Sequence, residues 1–252
     1  MTPEEMLARL LYRDGLMLVI DKPAGLPVHR GPKGGASLED HFGALRFGLP
    51  RAPALAHRLD RETSGCLVLG RHRKALAALG RLFKTGAVGK TYWAIVEGGP
   101  DADEGRIDLP LGRLDVTRGW WMKHDPAGLP SVTTWKVMGH AEGLTWLALE
   151  PLTGRTHQLR VHCCESGFPI LGDNIYGSAT RHAPGMHLHA REIVVPLYRN
   201  KPPIKVVAPV PPHMKERLKA CGWDEELDKR LVTPPAPSRP RPEQPAMRDK
   251  SA

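Results

Sequence analysis

The chain has 252 residues, 41% of them hydrophobic, a formal net charge of +9 and a pI near 9.6. It is long enough for one large domain or two small ones with a real core, and no run of 18 apolar residues is present to suggest a membrane-spanning helix. Its acidic start, Met1-Thr2-Pro3-Glu4-Glu5, is unlike a signal peptide, and four cysteines at 66, 163, 164 and 221 without a Cys-x-x-Cys suggest neither a disulfide framework nor a zinc site, so a reducing cytoplasm is expected.

The basic balance favours a polyanionic partner, although the charge is unevenly spread. From Lys229 onward six Lys/Arg stand against two acids, which leaves +5 for residues 1–228. Thr2-Pro3-Glu4-Glu5 reads as a helix start, with Thr at the N-cap, Pro at N1 and Glu at N3, and the helix is expected to reach Leu10. Arg13-Asp14-Gly15 is a turn, and Leu16 to Ile20 is a buried strand closed by Asp21-Lys22-Pro23. A Gly/Pro-rich loop follows to Gly35. Ser37 opens a second helix with Leu38, His41, Phe42 and Leu45 on one face, and Gly48 lies just past its end.

His57-Arg58-Leu59-Asp60-Arg61-Glu62-Thr63-Ser64-Gly65 reads as a loop with a Thr-Ser-Gly turn. The apolar run Cys66 to Leu69 behind it reads as a buried strand. A loop hung from a rigid element is a common way to present catalytic groups. On local chemistry alone Asp60 between Arg58 and Arg61 is equally an ordinary loop ion pair. Arg71 to Lys84 has helical spacing, with Ala75, Leu76, Leu79, Leu82 and Phe83 as an apolar stripe. Arg71, Arg73, Lys74, Arg81 and Lys84 occupy other positions, either as a solvated face or as an RNA-backbone contact. Gly86 ends that helix. Lys90 to Val96 is a strand by composition. Arg106–Leu109, Gly119–Met122, Val132–Met138 and Leu144–Leu149 are short strands separated by turns, a spacing that suggests antiparallel sheet.

Thr153-Gly154-Arg155 turns into a helix with Thr156 as N-cap, Leu159, His162 and Cys163 on one face and Gly167 as its stop. Ile170 to Asp173 and Tyr176-Gly177 are loops. Ile193–Leu197 and Ile204–Ala208 are strands, and His213–Cys221 is a short helix. Beyond Leu231 the chain is Pro-rich with no hydrophobic period, which reads as roughly twenty residues of disordered basic tail. Strands in runs with helices between them argue for an α+β class, not a doubly wound parallel sheet. One domain over residues 1–228 and a tail over 229–252 are expected. No internal repeat or Gly-rich phosphate loop is present.

Three blocks carry a resemblance. They are His57-Arg58-Leu59-Asp60 with Ser64-Gly65; Lys90-Thr91-Tyr92; and Thr153-Gly154-Arg155-Thr156-His157-Gln158-Leu159-Arg160-Val161-His162, followed by Pro169-Ile170-Leu171-Gly172-Asp173. In this order, and with Val19-Ile20-Asp21-Lys22-Pro23-Ala24-Gly25-Leu26 before them, they resemble the RluA family of RNA pseudouridine synthases over about residues 10–215. The resemblance implies the pseudouridine synthase catalytic fold, a mixed and mainly antiparallel sheet with flanking helices and a central active-site cleft. It implies isomerisation of uridine to pseudouridine in rRNA or tRNA without a cofactor. The glycosidic C–N bond breaks, the uracil turns, and a C–C bond forms through C5.

Asp60 would then be the essential carboxylate, either attacking C1′ or assisting elimination across C1′–C2′. Tyr92 would stack on the target base and could move a proton; without its block it reads as a half-buried strand tyrosine. Arg155 would pair with Asp60 and hold it ionised. A cation at a helix N-terminus is slightly unfavourable, which suggests a carboxylate partner, although a solvated surface Arg is the plain alternative. Arg58 would fill the space left by the flipped uridine, Leu188 would wall the uracil pocket, and His57 would order the loop.

His187 and His189 share a strand face near His182, but no acidic or Cys ligand completes a set, and no metal is expected. His162-Cys163-Cys164 is expected to pack apolar. Residues 1–15 leave no room for the S4-type module of many relatives, so RNA selection should rest on the catalytic domain and the tail. No membrane partner is expected, and the protein should be a monomer. The alternatives are a non-catalytic RNA-binding protein of this fold, which would not need Asp60, Tyr92 and Arg155 together, and a glycoside hydrolase, which would need a second carboxylate such as Glu62.

Overall fold

The computed structural model describes residues 1–31, 34–115, 120–178 and 185–231. The chain opens with α1 (Pro3–Leu7), β1 (Leu10–Arg13) and β2 (Met17–Lys22), then a 3-10 helix (Leu38–Leu45), β3 (Ala54–Leu55) and β4 (Ser64–Gly70). Next come α2 (Arg73–Lys84), β5 (Gly89–Glu97), β6 (Glu104–Asp108), β7 (Leu111–Arg113), β8 (Met122–His124), β9 (Val132–Ala141) and β10 (Leu144–Pro151). The rest comprises α3 (Gln158–Glu165), β11 (Leu188–Val195), β12 (Ile204–Val207), α4 (Pro212–Ala220) and α5 (Glu225–Lys229).

Local chemistry sets these ends. Thr2 and Glu5 form the expected reciprocal capping box, but α1 stops at Leu7, because Leu10 begins pairing with Ile20 of β2. Asp40 accepts from the Ser37 N–H at 2.9 Å and closes the first turn of the 3-10 helix. Gly86, at φ +71°, ends α2 in a Schellman turn, with Ala87 N–H on Leu82 O and Gly86 N–H on Phe83 O. The expected turn at Thr63-Ser64-Gly65 is shorter than the sequence suggests, since Ser64 and Gly65 already belong to β4. The last long strand begins at Leu188, earlier than the expected Ile193. The strand expected at Gly119–Met122 is met only at its end, where β8 begins; Gly119 lies outside the described residues, as does His182. Helix α5 was not expected, and it carries the body through Lys229, across the anticipated boundary at 228. The tail beyond 231 is outside the described residues.

One ten-stranded sheet runs in the order β1-β2-β4-β11-β5-β10-β9-β6, with β3 pairing β4 and β12 pairing β11. All these pairs are antiparallel except β4 with β11, which touch only at His189↔Ser64 and Ala190↔Gly65 before diverging. β7 and β8 form a separate ribbon.

Both sheet faces are buried, and alternation assigns the faces. Leu18, Ile20, Leu67 and Leu69 pack under the 3-10 helix, whereas Met17, Val19, Cys66 and Val68 pack under α2. Across the middle, Ala94, Val96, Leu147 and Leu149 meet Leu159 and Cys163 of α3, while Ile95 and Trp146 meet Met214 and Leu218 of α4. Of the two adjacent thiols expected to pack apolar, Cys163 is buried in these clusters, whereas Cys164 is half-buried and its Sγ meets Tyr176 O at 2.8 Å. Tyr92 packs against two of the clusters and stands at their seam. A mixed, mostly antiparallel sheet with helices on its faces is the α+β fold read from the sequence.

Candidate active site

The seam opens as a cleft of about 400 Å³, lined in part by His57, Arg58, Asp60, Tyr92, Arg155 and Leu188. All six residues singled out from the sequence therefore share one cavity. His157 and Arg160 line it as well.

Asp60 sits on the loop between β3 and β4, and three devices fix that loop. The first is Gly65, at φ +104°: a Cβ there would lie 2.3 Å from Ala190 O, so only glycine lets β4 meet β11 this closely. Ser64 Oγ and His189 Nδ1 join the same two strands at 2.9 Å. The second is Lys22, which is fully buried. Its Nζ donates to Pro23 O at 2.7 Å, Arg61 O at 2.9 Å and Thr63 O at 2.8 Å, holding the loop from behind. Burial pulls this lysine down to about 7, against the opposing charges of Glu62, Asp60 and Asp21. The third is His57, whose Nε2 accepts from the Val68 N–H at 3.0 Å while its ring stacks on Phe83. Burial pushes His57 down to about 3, so it is neutral. It orders the loop, as anticipated.

The expected Arg155–Asp60 pair does not form. Arg155 is exposed at the cleft rim, and its Nε donates to Pro130 O at 3.3 Å. Arg160, one turn further along, takes that place: its Nη1 lies 3.6 Å from Asp60 Oδ2. A side chain on the first turn inside α3 faces the cleft, whereas Arg155 precedes the helix and projects to solvent. Arg160 is itself clamped, with Nε and Nη2 each 2.7 Å from the two oxygens of Asp173, and the side chains are only 4% and 1% exposed. Burial alone would raise Asp173, but the hydrogen bonds and charge of Arg160, with the N–H groups of Ile175 and Tyr176, hold it below its ordinary value. Burial would likewise lower Arg160; its partners Asp173 and Asp60 reverse that, and it stays a cation.

His157 is the second residue against Asp60, with Nε2 3.7 Å from Oδ2. It also replaces Thr156 as the residue preceding α3 and adopts a left-handed backbone at φ +53°. A non-glycine residue pays strain there, and the ring gains a place in the site: its Nδ1 lies 2.7 Å from Tyr176 Oη. Tyr176 Oη accepts from the Met122 N–H at 2.9 Å. The phenol proton is therefore directed at Nδ1, and Nε2 carries the imidazole hydrogen toward Asp60. Burial pushes His157 down to about 4, against the attraction of Asp60, so it is a neutral donor. No side chain caps α3; Gln158 Oε1 instead ties down the turn before it, accepting from Arg155 N–H at 3.0 Å and from Thr153 Oγ1 at 2.6 Å.

Tyr92 faces this group across the cleft. Burial, and then the nearby charge of Asp60, push its phenol well above the ordinary tyrosine value. It is a protonated ring and an O–H donor, not a base at neutral pH. Leu188 is buried and supplies an apolar wall. Arg58 is exposed, lines the cleft and has no ion-pair partner among the described residues. Glu62 pairs with Arg61 at 3.3 Å and does not line the cleft, so the hydrolase alternative lacks its second carboxylate there.

Arg160, Asp173, His157, Tyr176 and Lys22 were given no roles from the sequence. Four of them lay inside or beside the quoted blocks. What was missing was which of two nearby arginines faces inward.

Residues 16–165 match the RNA pseudouridylate synthase family. A Zymomonas mobilis protein described as an uncharacterized RNA pseudouridine synthase is 44% identical over 206 residues, covering 81% of this chain and 94% of its own. The ribosomal large subunit pseudouridine synthase C of Vibrio cholerae is 34% identical over 83% of this chain and 68% of its own. The solved structure of human RNA pseudouridylate synthase domain containing 4 superposes with a TM-score of 0.72 at 29% identity, covering 86% of this chain and 95% of that one.

Proposed function

Since the chain belongs to the RNA pseudouridylate synthase family and is an RNA pseudouridine synthase, we propose that it isomerises specific uridines of structured rRNA or tRNA with Asp60 as the essential carboxylate. The observation that carries this is the setting of Asp60 in the cleft. A clamped cation and a neutral imidazole N–H face one of its oxygens, and a protonated tyrosine stands opposite. Uridine and pseudouridine are isomers, so the reaction needs no net oxidant, reductant or group donor, which is consistent with catalysis by side chains alone. The ribosomal names of relatives such as the Vibrio cholerae enzyme support rRNA as a substrate class.

Asp60 acts at the ribose, either by attack on C1′ or by removing the C2′ proton. Arg160 and His157 hold it in one orientation for that task. Once the C–N bond is broken, the uracil turns between the Tyr92 ring and the Leu188 wall and presents C5 to C1′. Extruding the uridine from its stack costs a few kcal/mol, and Arg58, exposed and lining the cleft, would occupy the vacated position.

The test is to incubate RNA from cells lacking this gene with the wild-type protein or Asp60→Asn and to map pseudouridine at single-nucleotide resolution. New sites made by the wild type alone are expected. The same sites made by Asp60→Asn would refute the role of Asp60.

A further inference from the structure

Residues 63–96 contain no Asp or Glu but include Arg71, Arg73, Lys74, Arg81, Lys84 and Lys90. Within α2, Arg73, Ala77, Arg81 and Lys84 recur at i, i+4, i+8 and i+11, which places them on one face. All four are exposed, and the three cations have no ion-pair partner among the described residues. Two ends of this row meet cavities. At its C-terminal end Phe83 and Lys84 line the catalytic cleft. At its N-terminal end Arg73 lines a second cavity of about 470 Å³, walled by Leu49, Pro50, Ala52, Ala54 and Leu76. The 12 residues of α2 separate the two by about 18 Å at 1.5 Å per residue.

The second cavity has the chemistry of a nucleotide seat. Its walls are apolar, and Arg51, His72 and Arg73 stand at its edge. Arg71 adds a fixed charge, since its guanidinium is tied to the backbone oxygen of Asp14 at 2.6 Å and of Arg46 and Phe47 at 3.5 Å. His72 Nδ1 accepts from the Ala75 N–H at 3.2 Å, which leaves Nε2 as a donor at the rim. An apolar wall takes the face of a base, and cations beside it take the flanking phosphates. Unpaired cations on a helix that carries no acid favour a polyanion over a peptide or an apolar partner.

We propose that the cationic row of α2 and the cavity at its start form an accessory RNA site. It guides the unpaired strand next to the target uridine out of the cleft and seats one base about 18 Å away, by the rise of α2. The proposal rests on the RNA pseudouridine synthase reading of the cleft, and it explains how a chain recognises RNA beyond the flipped nucleotide.

The experiment measures binding, so it is independent of catalysis. Fluorescein-labelled single-stranded RNAs of 6 and 24 nucleotides with a central uridine are titrated by anisotropy at several salt concentrations. The wild type should bind the longer RNA at least tenfold more tightly. Arg73→Ala/Arg81→Ala should remove that advantage and lower the slope of log K against log salt by about 1.4, from roughly 0.7 for each cation lost on a single strand. Lys136→Glu, an exposed charge change on β9, should alter affinity by less than about twofold. A second arm places 4-thiouridine at successive positions of the 24-mer and maps crosslinks by mass spectrometry. Crosslinks to residues 49–54 or 72–76 from a position a few nucleotides from the centre are expected. Loss of affinity equal to that of Lys136→Glu, or crosslinks confined to the cleft, would overturn the proposal. So would self-association of the wild type that the double substitution abolishes, since that would assign the face to a second copy. None of these outcomes depends on whether Asp60 is catalytic.

Discussion

Replacing Arg160 separates its two tasks, because one is structural and the other acts on Asp60. Arg160→Met leaves Asp173, 1% exposed, as an uncompensated buried carboxylate. Breaking a buried pair in this way costs about 3–5 kcal/mol. At roughly 2–4 °C per kcal/mol for a domain of this size, the melting temperature should fall by about 6–20 °C. Adding Asp173→Asn removes the stranded charge. Asn keeps an oxygen where Oδ1 accepts from the N–H groups of Ile175 and Tyr176, and neutral replacements of buried pairs are often close to isoenergetic. The double variant should therefore recover most of the lost stability. It should not recover activity, since Asp60 still lacks the cation 3.6 Å from its Oδ2.

The assay is single-turnover release of tritium from RNA carrying [5-³H]uridine, because C5 loses its hydrogen once it is bonded to C1′. Loss of a preorganised charge at a reacting group is worth about 10²–10³ in rate, and both Arg160 variants should show it. Arg155→Ala, at the exposed rim, should change stability by less than about 0.5 kcal/mol and lose at least tenfold less rate than Arg160→Met. Restoration of turnover in the double variant would refute the reasoning, because Arg160 would then serve only Asp173. The pair also sets a pH window. Asp173 is held below its ordinary 3.8, so its contribution is present in full above that value and is lost as pH falls through the lower value of the folded state.

Lys22→Met should take a donor from three carbonyls; Arg61 O keeps the Gly25 N–H, so the cost falls on Pro23 O and Thr63 O, at about 1–3 kcal/mol for each left buried and unsatisfied. Offset by relief of a buried amine, the melting temperature should still fall. Hydrogen exchange at residues 61–63 should rise, and kcat should fall more than KM changes; unchanged exchange would show that the loop does not depend on Lys22. Tyr92→Phe keeps the ring and removes the phenol. It should retain RNA affinity within about threefold while slowing turnover by about 10²-fold, the low end for a positioned proton donor, and equal loss in both would assign Tyr92 to binding alone. Burial pushes His157 and His187 to about 4 and His57 and His189 to about 3 in the folded state. Between pH 6.5 and 4 the unfolded chain binds protons that these folded histidines do not, so stability should fall with acid, by up to roughly 5 kcal/mol per pH unit from the four together; between pH 7 and 9 it should still rise gently, because Lys22 is held near 7 in the fold. A urea midpoint constant from pH 7.5 to 5 would contradict this.

What the sequence made legible follows from what each signal encodes. The unbroken apolar runs Leu16–Ile20 and Cys66–Leu69 encode strands buried on both faces, and the sheet has them there. The capping residues of α1 and the glycine after α2 encode chain ends, and those too lie close to the expected positions. A helix end set by pairing elsewhere carries no local mark. α1 stops early because Leu10 is taken by Ile20, and α5 forms where its Asp228 meets the buried Arg191, 37 residues away in the chain. Such contacts lie outside any window of neighbours.

The site shows the same division more sharply. Motif blocks singled out Asp60 and Tyr92, the family resemblance added Leu188, and the three share one cleft, because residues at element ends are fixed by the elements themselves. The choice between Arg155 and Arg160 needed a rotation angle, which a string of letters does not carry. Five residues along α3 are about 500° at 3.6 residues per turn, so the two guanidinium groups point about 140° apart if both positions are helical. The start of α3 decides which one faces the cleft. That start is set by His157, which takes a strained left-handed backbone so that its ring can reach Tyr176 and Asp60. A conventional Thr156 cap would make His157 the first helical residue and give up the left-handed backbone from which its ring reaches Tyr176 and Asp60. The strain at His157 is thus coupled to the placement of an imidazole against Asp60, and the helix start belongs to the active site as much as to the fold.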